Sequence, residues 1–173
     1  MTKLDEILKL YPDIDFNNEG GSDAYKEDLP IIERDPIAVI IKHPTDDLYL
    51  ISKFKGVTWN GFLTGGIEEG DTLEDTVRKE IHEETGYKNI AKITPINFTT
   101  HALFFHPVKN VNRLAHYHLV IAKLANLEKD EVSEEEKNIA DFEWVRFDDV
   151  LPMITRKGMI LLWQHYMKYK FEI

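Results

Sequence analysis

The sequence predicts an α/β protein with a mixed central sheet and helices on both faces. Three observations lead there. The run Ile37-Ala38-Val39-Ile40-Ile41 is continuously apolar, as a strand buried on both faces requires. The stretch 72–85 carries helix signals at both ends, with capping residues at Asp71 or Thr72 and a glycine stop at Gly86. Strand-like and helix-like segments alternate without a strict β-α-β rhythm and without internal repeats, which favours a mixed over a purely parallel sheet.

The elements follow in chain order. Leu4, Ile7, Leu8 and Tyr11 fall at helical spacing and predict a short amphipathic helix that ends before Pro12. Residues 17–30, with Asn-Asn, Gly-Gly and several charges, read as a loop. After the 37–42 strand, His43–Asp47 is a turn and Leu48–Ile51 the returning strand, while Val57–Thr64 is a third, weaker strand entering a glycine-rich loop. Beyond Gly86, Ile93–Phe105 and Ala115–Leu124 read as strands joined by a long loop through Pro107, Asn110 and Asn112. Glu128–Lys137 is an acidic loop and Phe142–Val145 a short strand. Met159, Leu162, Trp163, Tyr166 and Met167 define a final amphipathic helix, whose aromatic side is read as core or as a homodimer contact. At 173 residues the chain has the length of one domain. It divides into an N-terminal helix-and-loop extension, residues 1–32, and a single domain, residues 33–173.

Composition excludes several functions. There are 21 Lys and Arg against 31 Asp and Glu, a net charge of −10, so non-specific nucleic-acid binding lacks its basic surface. No apolar run reaches the roughly 18 residues of a membrane span, and Met1–Glu6 is too acidic for a secretory signal. The absence of cysteine removes disulfides, thiolate metal sites and cysteine nucleophiles, and fits a cytoplasmic location. An acidic protein that handles phosphates needs a cation to bring them in.

The chemistry concentrates in Gly65-Gly66-Ile67-Glu68-Glu69-Gly70-Asp71 and the helix that ends Lys79-Glu80-Ile81-His82-Glu83-Glu84-Thr85-Gly86. With Glu80 at zero and about 100° per residue, Glu83 falls near 300° and Glu84 near 40°. Leu73, Val77 and Ile81 fall near 20°, 60° and 100°, so Glu84 lies inside the apolar stripe. The acids also face the negative end of the helix dipole, at about 0.3–1 kcal/mol each. Two carboxylates about 4 Å apart repel by about 4 kcal/mol at an effective dielectric of 20. Lys79 is one charge against three. A divalent cation removes the penalty, and oxygen-only ligands suit Mg²⁺ or Mn²⁺. Gly65, Gly66 and Gly70 let the backbone approach a ligand closely.

The stretch Gly65–Tyr87 resembles the signature box of the Nudix hydrolases: a glycine, five residues, an acid, seven residues, then Arg-Glu-apolar-x-Glu-Glu-x-Gly-apolar. Gly65, Glu80-Ile81, Glu83-Glu84 and Gly86-Tyr87 occupy the matching positions, and the likeness extends over residues 33 to 165 through Trp59, Phe142–Val145 and Asp148–Leu151. Two positions depart from it: Asp71 replaces Glu and Lys79 replaces Arg, where the family has a bracing ion pair between loop and helix. The resemblance implies a Nudix-like α/β/α sandwich and a Mg²⁺- or Mn²⁺-dependent hydrolase cleaving a nucleoside diphosphate linked to another moiety. It also implies that the Gly65 carbonyl and Glu80, Glu83 and Glu84 hold metal, with Glu135 of the Glu134-Glu135-Glu136 cluster as a base on a later loop. Trp59, Gly66, Glu68 and Lys79 are expected at the substrate. The alternative is a Nudix-fold binding or regulatory module with weak or lost catalysis; an isomerase of the same fold that uses cysteine is set aside.

Other residues invite functional readings with plainer ones beside them. His116 and His118 share a strand face, with His101 and His106 nearby in sequence; the functional reading is a metal site or a phosphate-contacting pocket, and the plainer one is histidines satisfied by hydrogen bonds inside the sheet. Trp59, Phe62 and Phe104 are stacking candidates that also suit a core, and Lys109 and Arg113 read as lying on a loop that could close over a substrate, with a solvated loop as the plainer reading.

Overall fold

A computed structural model describes residues 1–57 and 59–170; Thr58, inside the third predicted strand, lies outside the described residues. The elements run α1 (Lys3–Leu10), β1 (Asp15–Phe16), β2 (Ile31–Arg34), β3 (Pro36–Lys42), β4 (Leu48–Phe54), β5 (Asn60–Gly61), β6 (Leu63–Gly66) and α2 (Leu73–Thr85). Then come β7 (Ile90–His106), β8 (Val111–Leu124), α3 (Glu134–Lys137), β9 (Ala140–Arg146), α4 (Phe147–Met153) and α5 (Lys157–Tyr169). The strands form one sheet in the order β1-β7-β8-β3-β4-β5, with β2 also on β8, β6 on β3 and β9 on β4. Parallel β3–β8 and antiparallel β3–β4 pairing make the sheet mixed.

The apolar run of β3 has the expected cause. Ile37, Val39 and Ile41 pack with Val77 and Ile81 of α2, and Ala38 and Ile40 pack with Leu162, Trp163 and Tyr166 of α5. Alternation along the strand sends neighbours to opposite faces, and a helix covers each, giving the α/β/α sandwich. Val120 and Ala122 of β8 join the α2 layer while Leu119 and Ile121 join the α5 layer.

The structure corrects four local expectations. The long loop through Pro107, Asn110 and Asn112 is a four-residue turn, residues 107–110, closing a hairpin of 17- and 14-residue strands. Asn110 takes φ 51° there, a left-handed conformation that Asn tolerates. Arg113 therefore stands on β8 and not on a loop. The predicted Val57–Thr64 strand is interrupted at Phe62, whose ring is fully buried, and forms the separate β5 and β6. Inside the acidic 128–137 stretch, residues 134–137 make a helical turn capped by the Ser133 hydroxyl.

Residues before β3 extend the sheet. β1 pairs in parallel with Ala102 and Leu103 of β7, and β2 with residues 112–115 of β8. Helix α1 begins with a capping box between Thr2 and Asp5 and lays Ile7 on Leu103 and Leu114. Arg156 clasps this segment to α5 through both carboxylate oxygens of Asp15, at 3.0 and 2.5 Å. Among the described residues no helix is long and apolar enough to cross a membrane.

Candidate active site

Strand β6 ends the β3 ladder with Gly65 opposite Ile37 and Gly66 opposite Pro36. The chain then loops through Gly70 at φ +93°, where a side chain is strained, and enters α2. Thr72 is the N-cap, and its hydroxyl and the Asp75 carboxylate satisfy each other's backbone amides. The helix stops at Gly86, φ 79°, where a Cβ would lie 2.3 Å from the Asp130 carbonyl oxygen. Only glycine fits, and the close approach brings the segment carrying α3 against the end of α2, where the Asp130 amide donates to the Gly86 carbonyl at 2.9 Å.

These constraints set out the acids. Val77 and Ile81 are fully buried, Glu80 and Glu84 are half-buried beside them, and Glu83 is exposed, as the helical arc predicts. The Glu80 side chain lies over the Gly65 backbone: a Cβ on Gly65 would stand 2.4 Å from Glu80 Cγ and 2.5 Å from Cδ. Gly65 is thus required by the acid it supports. Gly66 has open space at its Cβ position, so its lack of a side chain answers to no neighbour in the protein.

Glu80 and Glu84 hydrogen-bond to each other, and both are displaced toward the protonated form. Burial pushes Glu84 up to about 8, and the charges of Glu80, Glu136 and Glu83 add to it. Burial also raises Glu80, with Glu83 next. Burial raises Glu136 as well, with help from Glu135 and Glu83. Glu136 is thus the member of the 134–136 trio whose charge reaches Glu80, Glu83 and Glu84. The expected base, Glu135, is coupled to Glu136. Helical geometry separates the two by about 100°.

Lys79, expected to brace Asp71, instead bonds Glu68 at 2.9 Å. Its own charged form is favoured first by the Glu68 hydrogen bond and charge, and only weakly by Asp71. The aspartate side chain is one methylene shorter than the glutamate of the box, and Glu68 takes up the role.

A cleft of about 820 Å³ opens beside β6, lined by Gly65, Gly66, Glu68, Glu80, Trp59 and Phe104 among others. Of the residues expected at the substrate, Trp59, Gly66 and Glu68 reach it, whereas Lys79 acts behind Glu68. Glu84 faces a second opening, of about 550 Å³, that it shares with Asp130, Lys137 and Trp144. Trp59 stands edge-on to Phe104 at 5.9 Å and to Phe54 at 6.3 Å, with the Arg156 guanidinium 5.2 Å from its ring. The ring slot continues into a small space of about 40 Å³ lined by Gly61, Ala102 and the Asp15–Arg156 pair. Phe62, in contrast, belongs wholly to the core. Tyr117 and Phe54 also line the cleft and were not foreseen. The alternation of Arg113, Ala115 and Tyr117 along one strand face is the signal that finds Tyr117.

The donor chemistry fits a hard divalent cation: half-buried carboxyls with excess negative charge, held against a glycine backbone. Among the described residues no three acids or histidines are already gathered around one point as a ligand set.

A profile of the NUDIX domain matches residues 33–164. The NAD-capped RNA hydrolase NudC of Mannheimia succiniciproducens is 30% identical over 98 residues, covering 57% of this chain and 32% of that protein. The human NAD-capped RNA hydrolase NUDT12 is 27% identical over 152 residues, covering 80% of this chain and 30% of its own length. The chain thus spans about a third of these relatives. Among solved structures, the E. coli dihydroneopterin triphosphate pyrophosphohydrolase superposes with a TM-score of 0.59 at 12% identity, covering 78% of this chain and 97% of its own. The NUDIX domain of Shewanella oneidensis NrtR, solved with ADP ribose, gives 0.59 at 15% identity over 98% and 99% of the two chains. With the family profile spanning most of the sequence and the signature acids carried on α2, Glu80 among them against Gly65, the chain belongs to the Nudix family.

Proposed function

We propose that the protein is a divalent-metal-dependent pyrophosphohydrolase that cleaves the phosphoanhydride of a nucleoside diphosphate linked to another moiety. One observation carries this reading: Glu80 and Glu84 are half-buried beside each other, with Glu80 against Gly65, at a cost that a cation offsets. Glu80, Glu83, Glu84 and the Gly65 carbonyl are the residues assigned to Mg²⁺ or Mn²⁺. When bound, the ion neutralises phosphate charge and lowers the pKa of a water nucleophile. The chain's own part is to orient and exclude. Trp59 and Phe104 offer ring faces to a base, Lys79 holds Glu68 at the cleft, and an α3 acid accepts the proton of the attacking water. We assign that last role to Glu136 over the expected Glu135, because Glu136 is the part-buried member of the trio and its charge acts on Glu80 and Glu84.

The relatives named for NAD-capped RNA and the solved domain bound to ADP ribose support a nucleotide-derived substrate. Residues 33–173 are taken as the catalytic domain, with residues 1–32 as its extension, in a cytoplasmic protein. A second reading, a ligand-binding module with weak catalysis, is favoured by the absence of a gathered three-ligand set among the described residues. The test is hydrolysis of nucleoside triphosphates, ADP-ribose, dinucleoside polyphosphates, NADH and capped RNA with Mg²⁺, with Glu83→Gln and Glu84→Gln as controls. Turnover that both substitutions abolish supports the hydrolase. No turnover of any compound, with unaltered ligand binding in both variants, supports the module.

A further inference from the structure

The cleft has a second charged wall that the acids do not explain. Arg34, at the end of β2, and Arg113, near the start of β8, both line it. The two strands pair in parallel with Ile32 opposite Arg113 and Arg34 opposite Ala115, so alternation places both arginines on one face of the sheet. The neighbours of Arg34 are engaged elsewhere: Glu33 lies 2.6 Å from His116 Nε2, and Asp35 3.0 Å from His118 Nε2. Among the described residues neither guanidinium has a hydrogen-bond or ion-pair partner, and Arg113 Nε is buried with none at all. Burial and the adjacent Arg34 charge pull the Arg113 guanidinium below its ordinary range. On a chain of net charge −10, two like charges side by side without a carboxylate await an anion, and the guanidinium fork matches phosphate.

Their position separates them from the acids. Gly65 pairs with Ile37, and Ile37 with His118. Arg113 lies five residues before His118 on β8, roughly 16 Å along the strand at its usual rise. Phe104, in register with Arg113, is the ring that meets Trp59. A nucleoside whose diphosphate lies at Gly65 and Glu80 and whose base enters the ring slot therefore brings its ribose hydroxyls near the arginines.

We propose that Arg34 and Arg113 form a phosphate subsite distinct from the acids, selecting nucleotides that carry a phosphate ester on a ribose hydroxyl besides the diphosphate to be cleaved. The proposal rests on the nucleotide reading above. Such a group comes either as a 2′-phosphate or as the 3′-phosphate that begins a nucleic-acid chain.

The test is calorimetric binding of AMP, adenosine 2′,5′-bisphosphate and adenosine 3′,5′-bisphosphate to the full chain without metal. At least one bisphosphate is expected to bind about tenfold more tightly than AMP, and the one that gains identifies the source. Arg34→Gln and Arg113→Gln are expected to erase most of the preference and leave AMP affinity unchanged, with Arg113→Lys retaining part of it. Should Arg113→Gln melt at lower temperature, Arg34→Gln, at an exposed position, carries the test. A wild-type ratio near one for both bisphosphates overturns the subsite, as does a preference that survives both substitutions. Because the readout is binding, an arginine-dependent preference in a chain that hydrolyses nothing overturns only the hydrolase reading. Hydrolysis without the preference overturns only the subsite.

Discussion

On α2, Glu80 and Glu84 are half-buried beside each other, with the like charges of Glu83 and Glu136 nearby. On the face of the β7–β8 hairpin under α1, His116 is buried with Glu33 at 2.6 Å and His101 Nδ1 at 2.7 Å. His118 bonds Asp35 at 3.0 Å and Thr99 at 3.2 Å, and the Tyr11 ring covers His101 at 4.1 Å. Each of these three histidines has a polar partner at a ring nitrogen, as the plainer reading of them expects, whereas His106 lines the cleft beside β6. The acids lack such partners, because the charges around them are mostly other carboxylates, Glu83 and Glu136 among them. A buried titratable group with complementary partners stabilises the fold. One surrounded by its own charge marks a place where a ligand completes the structure.

The largest expected effect comes from breaking the acid side of this comparison. Glu84→Gln should lower kcat/KM by roughly 10²-fold or more, the scale of several kcal/mol of lost charge stabilisation. The same substitution should raise the metal-free melting temperature at pH 8, since a buried charge is gone while the hydrogen bond to Glu80 persists. Equal losses of activity and stability would mean that Glu84 serves the fold and not the ion.

Gly65→Ala comes next. The new Cβ would have to displace the Glu80 side chain, so activity should fall at least tenfold, with a stability cost of about 1–3 kcal/mol from overpacking. Urea denaturation beside steady-state kinetics separates the two.

The pH dependence sharpens the contrast further. Glu84 binds its proton more tightly in the folded chain, titrating at about 8 against an ordinary 4.5. Between these values the folded state holds more protons than the unfolded one, so stability falls as pH rises. The slope for this group approaches about 1.4 kcal/mol per pH unit at its steepest. Denaturation series in EDTA should show the decline from pH 5 to 8, and millimolar Mg²⁺ should reduce it by stabilising the charged form. A flat metal-free profile would contradict the burial argument.

The smallest effect belongs to the histidines. His116→Gln removes a buried ring from a satisfied network and should cost about 1–2 kcal/mol, with kcat/KM within a few-fold of wild type. A large loss of activity at unchanged stability would move the histidine row from the frame into the site.

The sequence by itself determined the strand β3, the capped helix and the arc that places Glu84 among Leu73, Val77 and Ile81. These depend on periodicity and on neighbours within a few residues. It also carried the family, because the signature lies within one continuous segment. Tertiary structure decided whatever depends on residues far apart in the chain. Glu136 reaches the acids because the close packing of Asp130 on Gly86 docks its segment against α2, and the trio Glu134–Glu136 is locally indistinguishable. Lys79 chose Glu68 over Asp71 through side-chain reach across a loop. Arg113 became part of a cleft wall because the turn at 107–110 is tight enough for β8 to begin at Val111, and only pairing with β2 put Arg34 beside it. Local propensity fixes which face of an element is apolar, whereas the charges that meet across a cleft depend on sheet register.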